Sequence, residues 1–269
     1  MSALDRLADE IKASTKYRHV ARDLICDVGA IEIAKRDNYK EAVKATRNKL
    51  HQVCGAYIDL APHYHEWLAD MKQVRESDSI KALQPICRRL MSGHASTRER
   101  IPILEDMYAT VLLQLPPIHS VLDIACGFNP LAIPWMPLQP GTSYTVIDVF
   151  EDLMSFLGEF ITLCGHIPNT YAHSVTNVDL PSIRVDLALV LKTIPCLEQI
   201  DRRAGLSLLE HINADNILVS FPVQSLGGRS KGMAENYDAH FRSLIMNKPW
   251  SCRRIDFAGE LVFLVTKSV

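Results

Sequence analysis

No apolar stretch of the 269-residue chain approaches the ~20 residues that a membrane-spanning helix needs. The opening residues, with Asp5, Arg6, Asp9, Glu10 and Lys12, lack the apolar core of a secretory signal. A cytoplasmic protein with no membrane partner is expected. There is no C-x-x-C pair: the 7 cysteines (Cys26, Cys54, Cys87, Cys126, Cys164, Cys196, Cys252) are odd in number and scattered, which argues against a disulfide framework or a zinc ribbon. Only His63-x-His65 has a close metal-ligand spacing, with no second pair nearby, so no metal site is expected. A G-x-G-x-x-G pyrophosphate cradle is also missing, which sets dinucleotide oxidoreductases aside. Neither sign of charge dominates, at net -2, and 48% hydrophobic residues exclude a mostly disordered chain.

The charge is unevenly placed. Residues 1–100 carry a net of +4 and residues 101–269 a net of -6. Between Lys12 and Lys49 ten cations face five acids. A basic front on a mildly acidic back half points to a docking surface for a polyanion, with Lys12, Lys16, Arg18 and Arg22 as one candidate set and Lys40, Lys44 and Arg47 as another. The plainer alternative is a solvated helix face with ion pairs.

Up to about residue 115 the apolar residues recur at helical spacing, as in Leu7, Ile11, then Val20, Leu24, Ile25, and later Ile80, Leu83, Ile86, Leu90. This half reads as all-helical, with breaks at Gly55 to Pro62 and Arg75 to Ser79. After Pro116-Pro117 the pattern becomes seven short apolar runs: Ser120–Ile124, Tyr144–Asp148, Asn169–His173, Val185–Leu191, Asn216–Phe221, Ser251–Phe257 and Glu260–Thr266. Connections long enough for crossover helices imply a mainly parallel sheet covered on both faces. Only Ala258-Gly259 separates the last two runs, so a tight hairpin makes the final strand antiparallel. The expected architecture is α/β: a helical domain over residues 1–110, then a Rossmann-like seven-stranded domain over 111–269 whose sheet resembles that of S-adenosylmethionine-dependent methyltransferases.

Val121-Leu122-Asp123-Ile124-Ala125-Cys126-Gly127 reads as a buried strand entering a small-residue turn, where Ala125 and Gly127 let a ligand approach the backbone. About twenty residues on, Asp148 ends the second strand, where an acid accepts hydrogen bonds from ribose hydroxyls; the alternative is a cap for a helix starting near Glu151. The fourth strand leads to Leu191-Lys192-Thr193-Ile194-Pro195-Cys196, which lacks the Asp/Asn-Pro-Pro-aromatic motif of exocyclic-amine methylation. Pro195-Cys196 has the look of a covalent nucleophile but no companion acid, and packing is the simpler role for Cys196. An acceptor with an available lone pair, such as guanine N7, needs neither base nor nucleophile.

Four segments in order, His94-Ala95-Ser96-Thr97-Arg98-Glu99-Arg100, Asp123 through Ala132, Leu191 through Glu198, and Ser220-Phe221-Pro222 with Ser225 through Tyr237, resemble the aminoglycoside-resistance 16S rRNA guanine-N7 methyltransferases. Leu50-His51 and Gly55-Ala56-Tyr57 extend the resemblance into the helical half, so that it covers roughly residues 45–265. It implies S-adenosylmethionine as cofactor and N7 of a decoding-site guanosine, of the m7G1405 type, as acceptor. It also implies a monomer acting on 16S rRNA within the 30S subunit, with aminoglycoside resistance as the outcome. The rivals are an adenine-N1 enzyme of the same site and a non-catalytic RNA-binding or assembly protein.

Residue by residue, the resemblance implies that Arg100 pairs with the cofactor carboxylate. His94, Ala95 and Ser96 then line the same pocket, and Tyr57 reaches it from the helical half. It places Val175 and Thr176 at the adenine, although Ser174-Val175-Thr176 offers no acid to take the exocyclic amine, and turns Leu191 toward the adenosine. Lys192 is expected near the base or a phosphate, with a simple salt bridge as its alternative. Arg229 and Lys231, in the glycine-hinged segment Gly227 to Met233, are expected to meet phosphates around an extruded nucleotide; the alternative is a surface loop after the fifth strand.

Overall fold

The computed structural model describes residues 1–55, 63–77, 79–176, 180–223 and 232–267. Seven strands, β1 (Ser120–Ile124), β2 (Ser143–Asp148), β3 (Ile167–Ala172), β4 (Val185–Leu191), β5 (Ala214–Pro222), β6 (Trp250–Phe257) and β7 (Glu260–Lys267), form one sheet in the order β3-β2-β1-β4-β5-β7-β6. The first five pair in parallel and β7 runs antiparallel between β5 and β6. Central β4 and β5 are almost wholly buried and largely apolar, as a sheet covered on both faces requires. Edge strand β6 instead alternates exposed and partly buried residues along most of its length. Its hairpin to β7 turns at Gly259, whose φ of 88° is open to glycine at little cost. Because β7 is reversed, its first residue, Glu260, lies beside Pro222 at the carboxyl end of β5.

The helices Ala3–Lys12, Arg22–Ala34 and Tyr39–Leu50 have a core of their own, including Leu7, Ile11, Leu24, Ile25, Val28 and Val43. Ser2 and Asp5 form a capping box on the first and Asn38 caps the third, satisfying backbone donors that a helix start leaves open. The later helices, Tyr64–Ser77, Gln84–Met91, Ala95–Arg100 and Leu104–Leu112, have no separate core. Leu68, Met71, Leu90, Met107 and Tyr108 pack into one continuous apolar mass with Phe128, Phe156 and Phe160. The two apolar clusters part between Cys54 and Tyr64, because the later helices lay their apolar faces on the sheet. The anticipated break at Gly55 to Pro62 lies almost entirely outside the described residues; at the second, helix Tyr64–Ser77 runs through Arg75 and a 3-10 turn begins at Ile80.

The front three-helix unit docks on the end of β2. Val149 O accepts the Ala21 N–H at 2.7 Å, His19 O accepts that of Glu151 at 2.9 Å, and Lys12 pairs with Glu151 at 2.7 Å.

Candidate functional site

A cavity of about 430 Å³ opens beyond the carboxyl ends of β1, β2 and β4, where open α/β sheets bind ligands. Leu24, Val53 and Cys54 of the front helices form part of its wall. Of the residues expected at a cofactor, His94, Ser96, Arg100, Ala125, Gly127, Asp148, Val175, Thr176 and Leu191 all border it. Ala95 does not: it is buried at the start of helix Ala95–Arg100, where successive side chains diverge by about 100°. Tyr57 lies outside the described residues, as do Arg229 and Lys231.

Two non-glycine residues at the strand ends have positive φ, Ala125 (49°) and Lys192 (59°), the kind of backbone strain that collects at ligand sites. Gly127 also sits at φ 49°, and a Cβ there would lie 3.0 Å from Nε2 of His94, so a larger residue would be strained and would push that ring aside. The Gly127 N–H donates to Asp148 Oδ2 at 2.8 Å and the Val149 N–H to Oδ1 at 2.7 Å. Burial raises the Asp148 carboxyl above its ordinary value, opposed by backbone N–H groups of Gly127, Val149 and Phe150. The capping alternative fails: the helix Glu151–Leu163 has Phe150 as its N-cap and no side-chain cap bond.

Asp123, which sequence reasoning passes over, is the second acid of the cavity. Its Oδ2 accepts from Asn129 Nδ2 at 2.8 Å and from the Tyr144 hydroxyl at 3.1 Å, while Oδ1 is buried with no partner. Burial pushes its carboxyl up to about 7, against the lowering effect of Asn129 and Tyr144. The folded state therefore holds this proton more tightly than the unfolded chain, whose Asp titrates near ~3.9. The resulting stabilisation is complete below that pH and is lost as pH rises through about 7. Unfolding free energies from urea titrations at pH 4 to 8 should fall for the wild type relative to Asp123→Asn, by up to about 1.4 kcal/mol per pH unit. A constant gap between the two proteins would mean that Asp123 titrates normally.

The Arg100 guanidinium is 1% exposed and grips Glu260, itself fully buried, through Nε (3.1 Å to both carboxylate oxygens) and Nη2 (2.7 Å). Nη1 donates to Asn129 Oδ1 at 2.9 Å. Three of the five guanidinium N–H groups are thus used by protein, leaving two for a second carboxylate. Burial alone would raise the Glu260 carboxyl, but the Arg100 and Lys192 cations outweigh it and hold it low. Lys192 also borders the cavity; its ammonium donates to Glu99 Oε2 at 2.6 Å and Ser96 O at 3.2 Å and has Glu260 Oε2 as an ion-pair partner at 3.5 Å. The salt-bridge alternative describes it, because a buried ammonium must be paired. Cys196 Sγ lies 3.6 Å from Lys192 O, and Glu198, two residues on, holds His240 at 2.9 Å.

The candidate docking cations separate into two groups. Lys12 pairs with Glu151, Arg22 with Asp5 and Asp9, and Arg47 with Glu10. The exposed Lys16 and Arg18 instead meet neutral-capable rings, His51 at 3.3 Å and His19 at 2.8 Å. Exposed Lys40 and Lys44, one turn apart, border a small recess with Glu10, Arg47 and Asn48, and no acid within ion-pair distance answers either ammonium among the described residues.

The site fits an extended nucleoside with a charged amino-acid end: Asp148 at a hydroxyl pair, an orphaned Asp123 oxygen for an ammonium, and open Arg100 donors for a carboxylate. Parallel strand ends bearing this crevice, with an antiparallel strand set between β5 and β6, define the S-adenosylmethionine-dependent methyltransferase class. The chain matches the Ribosomal RNA methyltransferase (FmrO) family over residues 13–264, and it belongs to that family. It is 36% identical over 270 residues to a 16S rRNA (guanine(1405)-N(7))-methyltransferase of Micromonospora rosea, covering 98% of this chain and 97% of that one. An enzyme of the same name from Serratia marcescens is 32% identical over 262 residues, 96% of each chain. Among solved structures, the 16S rRNA methyltransferase RmtF in complex with S-adenosyl-L-homocysteine superposes with a TM-score of 0.83 at 27% identity, over 100% of this chain and 99% of that one.

Proposed function

We propose that this chain transfers the methyl group of S-adenosylmethionine to N7 of guanosine 1405 in 16S rRNA. We read it as a cytoplasmic monomer that acts on the 30S subunit and confers aminoglycoside resistance. The observation that carries the reading is the end-to-end identity with enzymes bearing that name. When bound, the cofactor supplies an electrophilic methyl group on its sulfonium. In this reading Asp148 accepts the ribose hydroxyls, Asp123 faces the ammonium, and Arg100 offers its two remaining donors to the carboxylate. Leu191 and Val175 cover the adenosine, with Ser174 and Thr176 at the adenine edge.

Guanine N7 presents an in-plane lone pair and loses no proton, so the chain's task is alignment rather than acid or base chemistry. Its residues exclude water from the crevice and hold the two reactants in line. Holding the extruded nucleotide is assigned to the Gly227 to Met233 segment, through Arg229 and Lys231.

The test is nucleoside mass spectrometry of 16S rRNA from cells expressing the protein, with borohydride and aniline cleavage to locate the base. N7-methylguanosine at position 1405 is expected; N1-methyladenosine, or no new nucleoside, would overturn the reading. For the cofactor, Asp148→Ala and Arg100→Ala should each weaken S-adenosylmethionine binding in titration calorimetry by about 1–3 kcal/mol, the value of a hydrogen bond to a charged group. Unchanged affinity in both variants would contradict the assigned pocket.

A further inference from the structure

At the far end of β3, side chains from two parts of the fold make one hydrogen-bonded chain. Asp23 and Asp27 are four residues apart on the helix Arg22–Ala34 and so share a face. Asp23 Oδ2 accepts the Ser174 backbone N–H at 2.8 Å, and Asp27 Oδ2 accepts the Thr176 hydroxyl at 2.5 Å. The Ser174 and Thr176 hydroxyl oxygens are 2.6 Å apart, and the Thr176 N–H reaches Ser174 Oγ at 3.3 Å. Both hydroxyl residues border the cavity, and Ser174 is buried. The Ser174 carbonyl is occupied by Nδ1 of His173 at 2.8 Å, which must donate to it.

A hydroxyl has one proton to give, and an ionised carboxylate can only accept. The Thr176 proton therefore goes to Asp27. Thr176 oxygen is left to receive the Ser174 proton, and the Thr176 N–H takes one lone pair of Ser174 oxygen, which leaves that oxygen one lone pair and no proton for the cavity. We propose that this relay makes Ser174 the acceptor for the exocyclic amine of the cofactor's adenine. Asp27, from the front helical unit, is then the positioning residue that makes the site select a 6-amino over a 6-oxo purine. The inference rests on the reading that places adenine against Ser174 to Thr176. A 6-oxo purine would set its carbonyl against a second acceptor, leaving buried lone pairs unpaired. The acid missing from the Ser174-Val175-Thr176 segment is in this way supplied from 149 residues away in sequence.

The experiment is calorimetric titration of the full chain with S-adenosylhomocysteine and with S-inosylhomocysteine. The wild type should prefer the adenine ligand by at least about tenfold, because the 6-oxo ligand leaves buried acceptors unpaired. Asp27→Asn can donate its amide to Thr176 and reverse the relay, so this variant should bring the two affinities within a few-fold of each other. Ser174→Ala removes the acceptor itself and should do the same, which keeps the test decisive if the helix tolerates no change at Asp27. Asp148→Ala should weaken both ligands alike and keep their ratio. A wild type without preference, or an unchanged ratio in Asp27→Asn and Ser174→Ala while Asp148→Ala weakens both ligands, would overturn the relay and leave the pocket standing. If Asp148→Ala binds both ligands as the wild type does, the pocket reading falls and takes the relay with it.

Discussion

Glu260→Ala is expected to destabilise the fold by about 3–5 kcal/mol, the cost of leaving a buried charge without its partner. The variant would strand Arg100, 1% exposed, and weaken the hold on the buried Lys192. Urea unfolding measures it, and a loss below about 1 kcal/mol, the range of exposed ion pairs, would show that solvent reaches the network. Arg254→Ala, which breaks surface pairs with Asp256 and Asp238, serves as the contrast and should stay within that range. Replacing both Arg100 and Glu260 by apolar residues of similar volume should recover much of the lost stability, since no uncompensated charge remains. That double variant should still bind S-adenosylmethionine poorly, which separates the structural work of the pair from its part in the proposed site.

The second large effect concerns docking. A quadruple exchange of Lys16, Arg18, Lys40 and Lys44 for glutamine should reduce the slope of log affinity against log salt for 30S binding by about 3, at roughly 0.7–0.9 for each phosphate that is no longer neutralised. Affinity near physiological salt should drop well over tenfold, with cofactor binding intact. Exchanging Lys12, Arg22 and Arg47 should change the slope less, because Glu151, Asp5, Asp9 and Glu10 already balance them. Equal slopes for the quadruple variant and the wild type would mean that the basic face is solvated surface.

The separation of those two groups is beyond the sequence, which shows where cations cluster but not which acid each one meets. What is legible is what repeats at short range. The apolar residues of β1 and β4 mark their bounds although Asp123 and Asp186 interrupt them, since a strand covered on both faces is apolar along most of its length. The apolar pattern starts β3 late, at Asn169 instead of Ile167, because this edge strand is half exposed and carries Pro168. Asp148 can be found from its place after a strand. Asp123 has a weaker signal, an acid one residue before the end of β1, inside an otherwise apolar strand. Glu260 offers no signal at all: its partner Arg100 is 160 residues distant, and only the reversal of β7 brings it to the ligand end of the sheet. Non-local pairs of this kind depend on topology, which periodicity does not encode.

That distance also sets a schedule for the nascent chain. Once Arg100 has been polymerised, 160 further residues must be added before its counter-charge exists. At the usual rate of about 5–20 residues per second this takes about 8–30 s. Burying the guanidinium without that counter-charge would cost several kcal/mol. The proposed cofactor pocket can therefore take its final form around Arg100 only after the ribosome has delivered residue 260.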